Sequence, residues 1–115
     1  MRVEREIRKE LNQLKKSEVI DNKMKKMAIS TIKNIINFKP SYIMYDEECN
    51  TLDIVYDIDK ELRWDLIIAI DKDYNVFILY SDDPETMYGD AILVNKYDYK
   101  TINEIIVDAY ANRYL

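Results

Sequence analysis

Between Leu52 and Tyr80 apolar residues recur with a period of two, and over much of that stretch they occupy both phases of it. Leu52, Ile54, Tyr56 and Ile58 alternate with Asp53, Val55, Asp57 and Asp59. Leu62, Trp64, Leu66, Ile68 and Ile70 alternate with Arg63, Asp65, Ile67 and Ala69, and Val76–Tyr80 follows the polar run Asp71-Lys72-Asp73-Tyr74-Asn75. Successive strand side chains point to opposite faces, so this pattern predicts consecutive strands joined by short turns. A slip of one residue would turn every side chain to the other face, which limits the pairing. Placing Ile58 opposite Leu62 sets Tyr56 against Trp64, Ile54 against Leu66 and Leu52 against Ile68. Asp57 then meets Arg63 on the reverse side, an opposite-charge cross-strand pair. Across the next turn Ile70 faces Val76 and Ile68 faces Ile78. The second face collects Val55, Ile67, Ala69, Phe77 and Leu79, with Asp53 and Asp57 near the start of its first long strand. A sheet apolar on both faces is expected to be covered on both, by helices or by a second copy.

The flanks follow a helical period. Val3, Ile7, Leu11 and Leu14 predict an amphipathic helix over 2–15, and Ile20, Met24, Met27, Ala28, Ile32 and Ile35 form a second stripe out of phase with the first. The break falls within Ser17–Asn22, with Ser17 or Asp21 as N-cap, and Pro40 ends the second helix by Phe38 or Lys39. Tyr42–Tyr45 and Ala91–Val94 read as short strands, Asp83-Pro84-Glu85 to Gly89 as one helical turn, and Thr101-Ile102-Asn103-Glu104 as the capping box of a last helix carrying Ile102, Ile105, Ile106 and Ala109. The expected fold is α+β: two N-terminal helices, a four- to five-stranded antiparallel meander, and a C-terminal helix. At 115 residues this is one domain, with a helical segment over 1–39, a sheet over 41–100 and a helix over 101–115.

Charge divides at the same boundary. Residues 1–40 carry a net +6 and residues 41–115 a net −11, giving −5 overall. The chain has no histidine, one cysteine and one glycine, which removes Ser-His-Asp and Cys-His catalytic units, zinc fingers, disulfide frameworks and glycine-rich phosphate loops. The charged start Met1-Arg2-Val3-Glu4-Arg5-Glu6 is unlike a signal peptide, no apolar run is long enough to span a membrane, and a lone Cys49 fits a reducing compartment. The expected location is the cytoplasm. Isoleucine, lysine, asparagine and tyrosine, the residues of AT-rich codons, make up 48 of the 115 positions and point to an AT-rich genome.

Four constellations bear on chemistry. Asp71-x-Asp73-x-Asn75 with Asp82 resembles a calcium loop, but Val76 stands where a glycine is needed, so a hairpin turn is the simpler reading. Asp98-x-Lys100 after a strand, with Asp82, Asp83 or Asp90 upstream, is a weak metal-nuclease pattern. Asp53, Asp57, Asp59 and Asp65 gather carboxylates on one sheet face, yet nothing pairs a nucleophile with a base. Lys15, Lys16, Lys23, Lys25, Lys26 and Lys33 form a basic cluster that lacks the aromatic platform of a single-strand binder, so nucleic acid is disfavoured. No catalytic, metal or cofactor residue is assigned.

The expectation is a non-catalytic acidic binding protein that inhibits or regulates a larger, basic protein partner. Immunity proteins against toxins and phage proteins that block bacterial nucleases are of this physical type, by charge and size alone. The expected partner-binding residues are Asp53, Asp57, Asp82, Asp83, Tyr88, Tyr97 and Tyr99, since tyrosine is enriched at interfaces. Two alternatives stand beside it: a homodimer or larger homo-oligomer with Val55, Ile67, Phe77 and Leu79 as its seam, and a nucleic-acid binder using Lys15, Lys16, Lys23, Lys25 and Lys26.

Overall fold

A computed structural model describes residues 4–35, 38–59, 64–81, 92–95 and 98–112. Its elements are α1 (Arg5–Lys16), α2 (Asn22–Asn34), β1 (Tyr42–Asp46), β2 (Thr51–Asp59), β3 (Trp64–Asp71), β4 (Val76–Ser81), β5 (Ile92–Val94) and α3 (Tyr99–Asn112). The five strands form one antiparallel sheet in chain order, so the α+β meander expected from the alternation is the fold. The expected helical turn over 84–89 lies outside the described residues.

Helix α1 buries Ile7 and Leu11 and ends where Ser17 N–H bonds back to the Gln13 carbonyl (3.0 Å). Glu18 follows at φ 61°, a left-handed turn that changes the chain's direction before α2. Asp21 is the N-cap of α2, its Oδ1 accepting from Met24 N–H at 2.8 Å. The Tyr74 hydroxyl, from the β3–β4 turn, also donates to Asp21, and Lys23 Nζ lies 4.0 Å from the centre of the Tyr74 ring. The Tyr74 bond holds the Asp21 carboxyl below its ordinary pKa. One aspartate thus starts α2 and pins it to the sheet. Asp21→Ala is expected to lose about 1–2 kcal/mol in urea denaturation, the upper range for an N-cap because a tertiary bond goes with it.

Helix α2 stops at Asn34, earlier than Pro40 requires. Ile35 has left helical geometry and is buried, and Asn103 Nδ2 of α3 donates to the freed Asn34 carbonyl at 2.7 Å. The third helix begins before the expected capping box. Asp98 serves as its cap, accepting from Thr101 N–H at 3.2 Å and Thr101 Oγ1 at 2.7 Å, so a carboxylate displaces the Thr101 hydroxyl from the role predicted for it.

The register corrects one expectation. Tyr56 pairs with Leu66, Ile54 with Ile68 and Leu52 with Ile70, two residues along β3 from the predicted partners. Asp59 pairs with Trp64 across a bulge between Asp57 and Asp59, which lengthens the connection. The predicted Asp57–Arg63 pair is therefore replaced: Asp57 faces Asp65, and Arg63 lies outside the described residues. The β3–β4 register is as predicted, with Ile70 opposite Val76 and Ile68 opposite Ile78.

All three helices feed one core. Ile7 and Leu11 of α1, Met24, Met27, Ala28 and Ile32 of α2, and Ile102, Ile106 and Ala109 of α3 cluster with Leu52, Ile54, Tyr56, Ile58, Leu66, Ile68, Ile70, Val76 and Ile78. The sheet residues in that set share one face of the pleat. Phe38, just past α2, stacks on Tyr110 of α3 with ring centres 4.1 Å apart. Tyr56 is fully buried, and its hydroxyl has no hydrogen-bond partner among the described residues. Burial pushes its phenol well above the ordinary range. Tyr56→Phe is expected to be neutral or up to about 1 kcal/mol stabilising, because it removes an unsatisfied polar atom without opening a cavity. Thermal unfolding of the two proteins checks it.

Candidate functional site

The opposite face of the sheet is the candidate site. Its rows follow from the pairing. Tyr42, Val55, Ile67 and Leu79 lie side by side on β1, β2, β3 and β4; the next row is Met44, Asp53, Ala69, Phe77 and Leu93 on all five strands. Asp57, Asp65 and Ser81 form the row at one end, and Asp46, Thr51 and Asp71 that at the other. Neighbouring side chains in such rows stand roughly 5 Å apart at Cβ, so each row is a continuous surface.

This face differs from the core face in what lies against it. Val55 and Ala69 are buried, but they stand outside the cluster that holds the helices. Small side chains, they are sunk between Tyr42 and Ile67 and between Asp53 and Phe77 in the register. The taller ones remain accessible: Tyr42 is 45% exposed, Met44 42% and Leu93 64%, while Ile67, Phe77 and Leu79 are half-buried. Of the two covers expected, α1, α2 and α3 provide the first. Among the described residues, the helices pack on one face only, because the apolar stripes of α1, α2 and α3 are all used by the first.

The charge on the face is one-sided too. Its described residues include the carboxylates Asp46, Asp53, Asp57, Asp65 and Asp71 and no lysine or arginine. Asp46 and Asp71 also hold the turns. Asp46 Oδ1 accepts from Glu48 N–H (2.9 Å) and Cys49 N–H (3.1 Å), and Asp71 Oδ1 from Asp73 N–H (3.0 Å) and Asn75 N–H (2.9 Å). The segment that resembled a calcium loop is thus organised around Asp71 as a hairpin turn, with Tyr74 at φ 65°. Cys49 is exposed in the β1–β2 turn, and the Asp46 charge raises its thiol pKa, which disfavours the reactive thiolate.

Asp53 is the unusual member. It is 6% exposed, in the middle of the apolar rows, with the Thr51 hydroxyl donating to Oδ1 at 2.8 Å. Burial pushes its carboxyl up to about 6, against the lowering effect of the Thr51 bond and with a smaller push from Asp46. Tyr42 is raised for the same first reason, burial, with the charges of Asp65, Asp57 and Asp53 adding to it.

The structure sorts the predicted site residues. Asp53 and Asp57 lie on this face with Val55, Ile67, Phe77 and Leu79, so the carboxylates and the apolar seam of two separate readings belong to one surface. Asp59, expected with them, pairs along the backbone with Trp64 beyond the bulge. Asp82, Asp83, Tyr88 and Tyr97 lie outside the described residues. Tyr99 is not on the face: half-buried at the start of α3, its hydroxyl shares a 2.7 Å hydrogen bond with Ser30 Oγ of α2. Tyr99→Phe is expected to lose about 1 kcal/mol of stability in urea denaturation. Asp65, grouped with Asp53 and Asp57 from the sequence, lies on this face too, and the pairing adds Tyr42, Met44 and Leu93, whose place across from Val55, Asp53 and Phe77 depends on a register between strands that the alternation within one strand does not set. The lysines of the expected basic cluster have different settings. Lys23 is held against Tyr74, Lys25 is half-buried, Lys15 lies beside the α1–α2 turn and Lys26 is exposed. Lys16 instead lies with Arg5, Arg8, Lys9, Asn12 and Gln13 along the outer side of α1. No helix among the described residues is long and apolar enough to cross a membrane. Comparison of the chain with protein-family models, curated proteins and solved structures finds no match.

Proposed function

We propose that this chain is a non-catalytic binding protein, an inhibitor or regulator that docks the second face of its sheet on a larger, basic protein. The observation that carries the reading is an apolar face fringed and centred by carboxylates, with no cation among its described residues. Apolar area supplies affinity once water is excluded, and a single sign of charge selects the partner and speeds the encounter. A second copy is the weaker occupant, because face-to-face docking would oppose the same carboxylates from both chains at neutral pH.

The test is retention of a partner from the native host's lysate, then reconstitution with that purified protein. The expected partner is basic and dissociates as salt rises from about 0.05 M to about 0.5 M. It fails to bind a Phe77→Glu/Leu79→Glu variant. A retained protein that is acidic, or that binds parent and variant equally, overturns the reading. Sedimentation at low micromolar concentration addresses the other occupant: a stable dimer broken by the same variant would transfer the face to self-association.

A further inference from the structure

The carboxylates on the sheet face are not equivalent. Asp57 and Asp65 stand at one end, half-buried. Asp46 and Asp71 are engaged by turn amides at the other. Of the carboxylates described on this face, Asp53 is the one that sits among the apolar side chains, with Met44 and Ala69 beside it in its row and Val55 next but one along β2. Buried carboxylates are normally paired with a cation or held by several donors. Here one hydroxyl donates, and the titratable groups among the described residues that interact electrostatically with Asp53 are Asp46 and Tyr42 from β1 and Cys49 from the β1–β2 turn, none of them a cation. Asp71 of β3 stands opposite Thr51, whose hydroxyl donates to Asp53. A partner that covered this face with apolar groups alone would bury the carboxylate further and lose affinity for it.

We propose that Asp53 is the anchor of the face: it receives one arginine or lysine side chain from the basic partner, and that pairing selects the partner's register on the sheet. This rests on the docking reading above and goes beyond it by naming the contact. An arginine suits the position best. Its guanidinium is weakly hydrated and planar, so it can pair with a carboxylate while its stem crosses the small Ala69 toward Phe77. Pairing requires the ionised carboxylate. Binding must therefore release a proton wherever Asp53 is protonated in the free chain, and affinity is expected to fall with acidification below about pH 6, by up to about tenfold per pH unit. A cation at Asp53 also lowers the carboxyl's own titration midpoint.

The experiment uses the full chain and two blocked synthetic peptides of about eight residues, one alternating leucine with arginine and one alternating leucine with citrulline, its neutral counterpart. Carbon-detected NMR follows the Asp53 carboxyl through a pH titration while amide shifts report on Ile67, Phe77 and Leu79. The arginine peptide is expected to shift those amides, to lower the Asp53 midpoint by about one pH unit or more, and to bind at least about tenfold more tightly than the citrulline peptide. Asp53→Asn is expected to weaken the arginine peptide by about tenfold or more, and Asp57→Asn by about threefold or less. If the arginine peptide moves the amides but neither the Asp53 midpoint nor the Asp53→Asn affinity changes, the face binds basic partners without this anchor, and the proposal falls alone. If neither peptide moves the amides, the docking reading falls and takes the anchor with it.

Discussion

Ile68→Ala is expected to lower the unfolding free energy by about 3–4 kcal/mol, and Ile67→Ala by about 1 kcal/mol, although the two residues are adjacent and chemically identical. Ile68 is fully buried in the centre of β3, against the core that α1, α2 and α3 share. Truncating it removes three carbons from close packing and leaves a cavity that strands on both sides prevent from collapsing. Ile67 points the other way, is half-buried, and lies between Val55 and Leu79 on the face the helices leave alone. Water can fill the space its side chain vacates, so only part of the transfer free energy is lost. Urea denaturation of both variants at equal m-value measures the difference. Out of a typical total stability of about 5–15 kcal/mol, the Ile68 loss is large enough to lower the thermal midpoint by about 10–20 °C. Equal losses at 67 and 68 would mean that the second face is as deeply packed as the first and unfit for docking.

Asp53→Asn carries the second large effect, and its sign is opposite. The folded-state carboxyl titrates at about 6, above the ordinary value of 3.8 from which burial displaces it. Between those two values the folded chain binds more protons at this site than the unfolded chain does. Stability from this group is therefore intact below about pH 4 and is lost as pH rises through about 6. Above that range the buried charge costs on the order of 2–3 kcal/mol, which asparagine removes while still accepting the Thr51 hydrogen bond. The variant is expected to be more stable than the parent at about pH 7.5 and indistinguishable from it at about pH 4, read from denaturant midpoints. A variant less stable at both values would show that the carboxylate is satisfied in place, and the case for an absent cation would fail. A position where a substitution gains stability and loses binding is what a functional site held against the fold's own preference looks like.

Both results depend on which face of the sheet the helices occupy, and the sequence was informative about this only in part. The alternation from Leu52 onward sets the strands and the membership of each face, and it groups Val55, Ile67, Ala69, Phe77 and Leu79 together. Asp21 as cap and the out-of-phase stripes of the first two helices were legible for the same reason: each depends on residues within one or two turns of chain. The β2–β3 offset was not. A period of two is unchanged by a slip of two, so parity accepted both the predicted pairing and the observed one, and the bulge at Asp57/Asp59 decided between them. The Asp98 cap was hidden by an adjacent sequence with the same local signature.

The local pattern thus determined by itself where the chain would be helical, where extended, and which side chains would share a face, because these follow from backbone geometry and near neighbours. Only the tertiary structure decided that all three helices lie on one side of the sheet and that Asp53 is sunk among apolar neighbours on the other. Those outcomes depend on how segments far apart in the chain divide a limited amount of apolar helix surface, and no short-range pattern contains that sum.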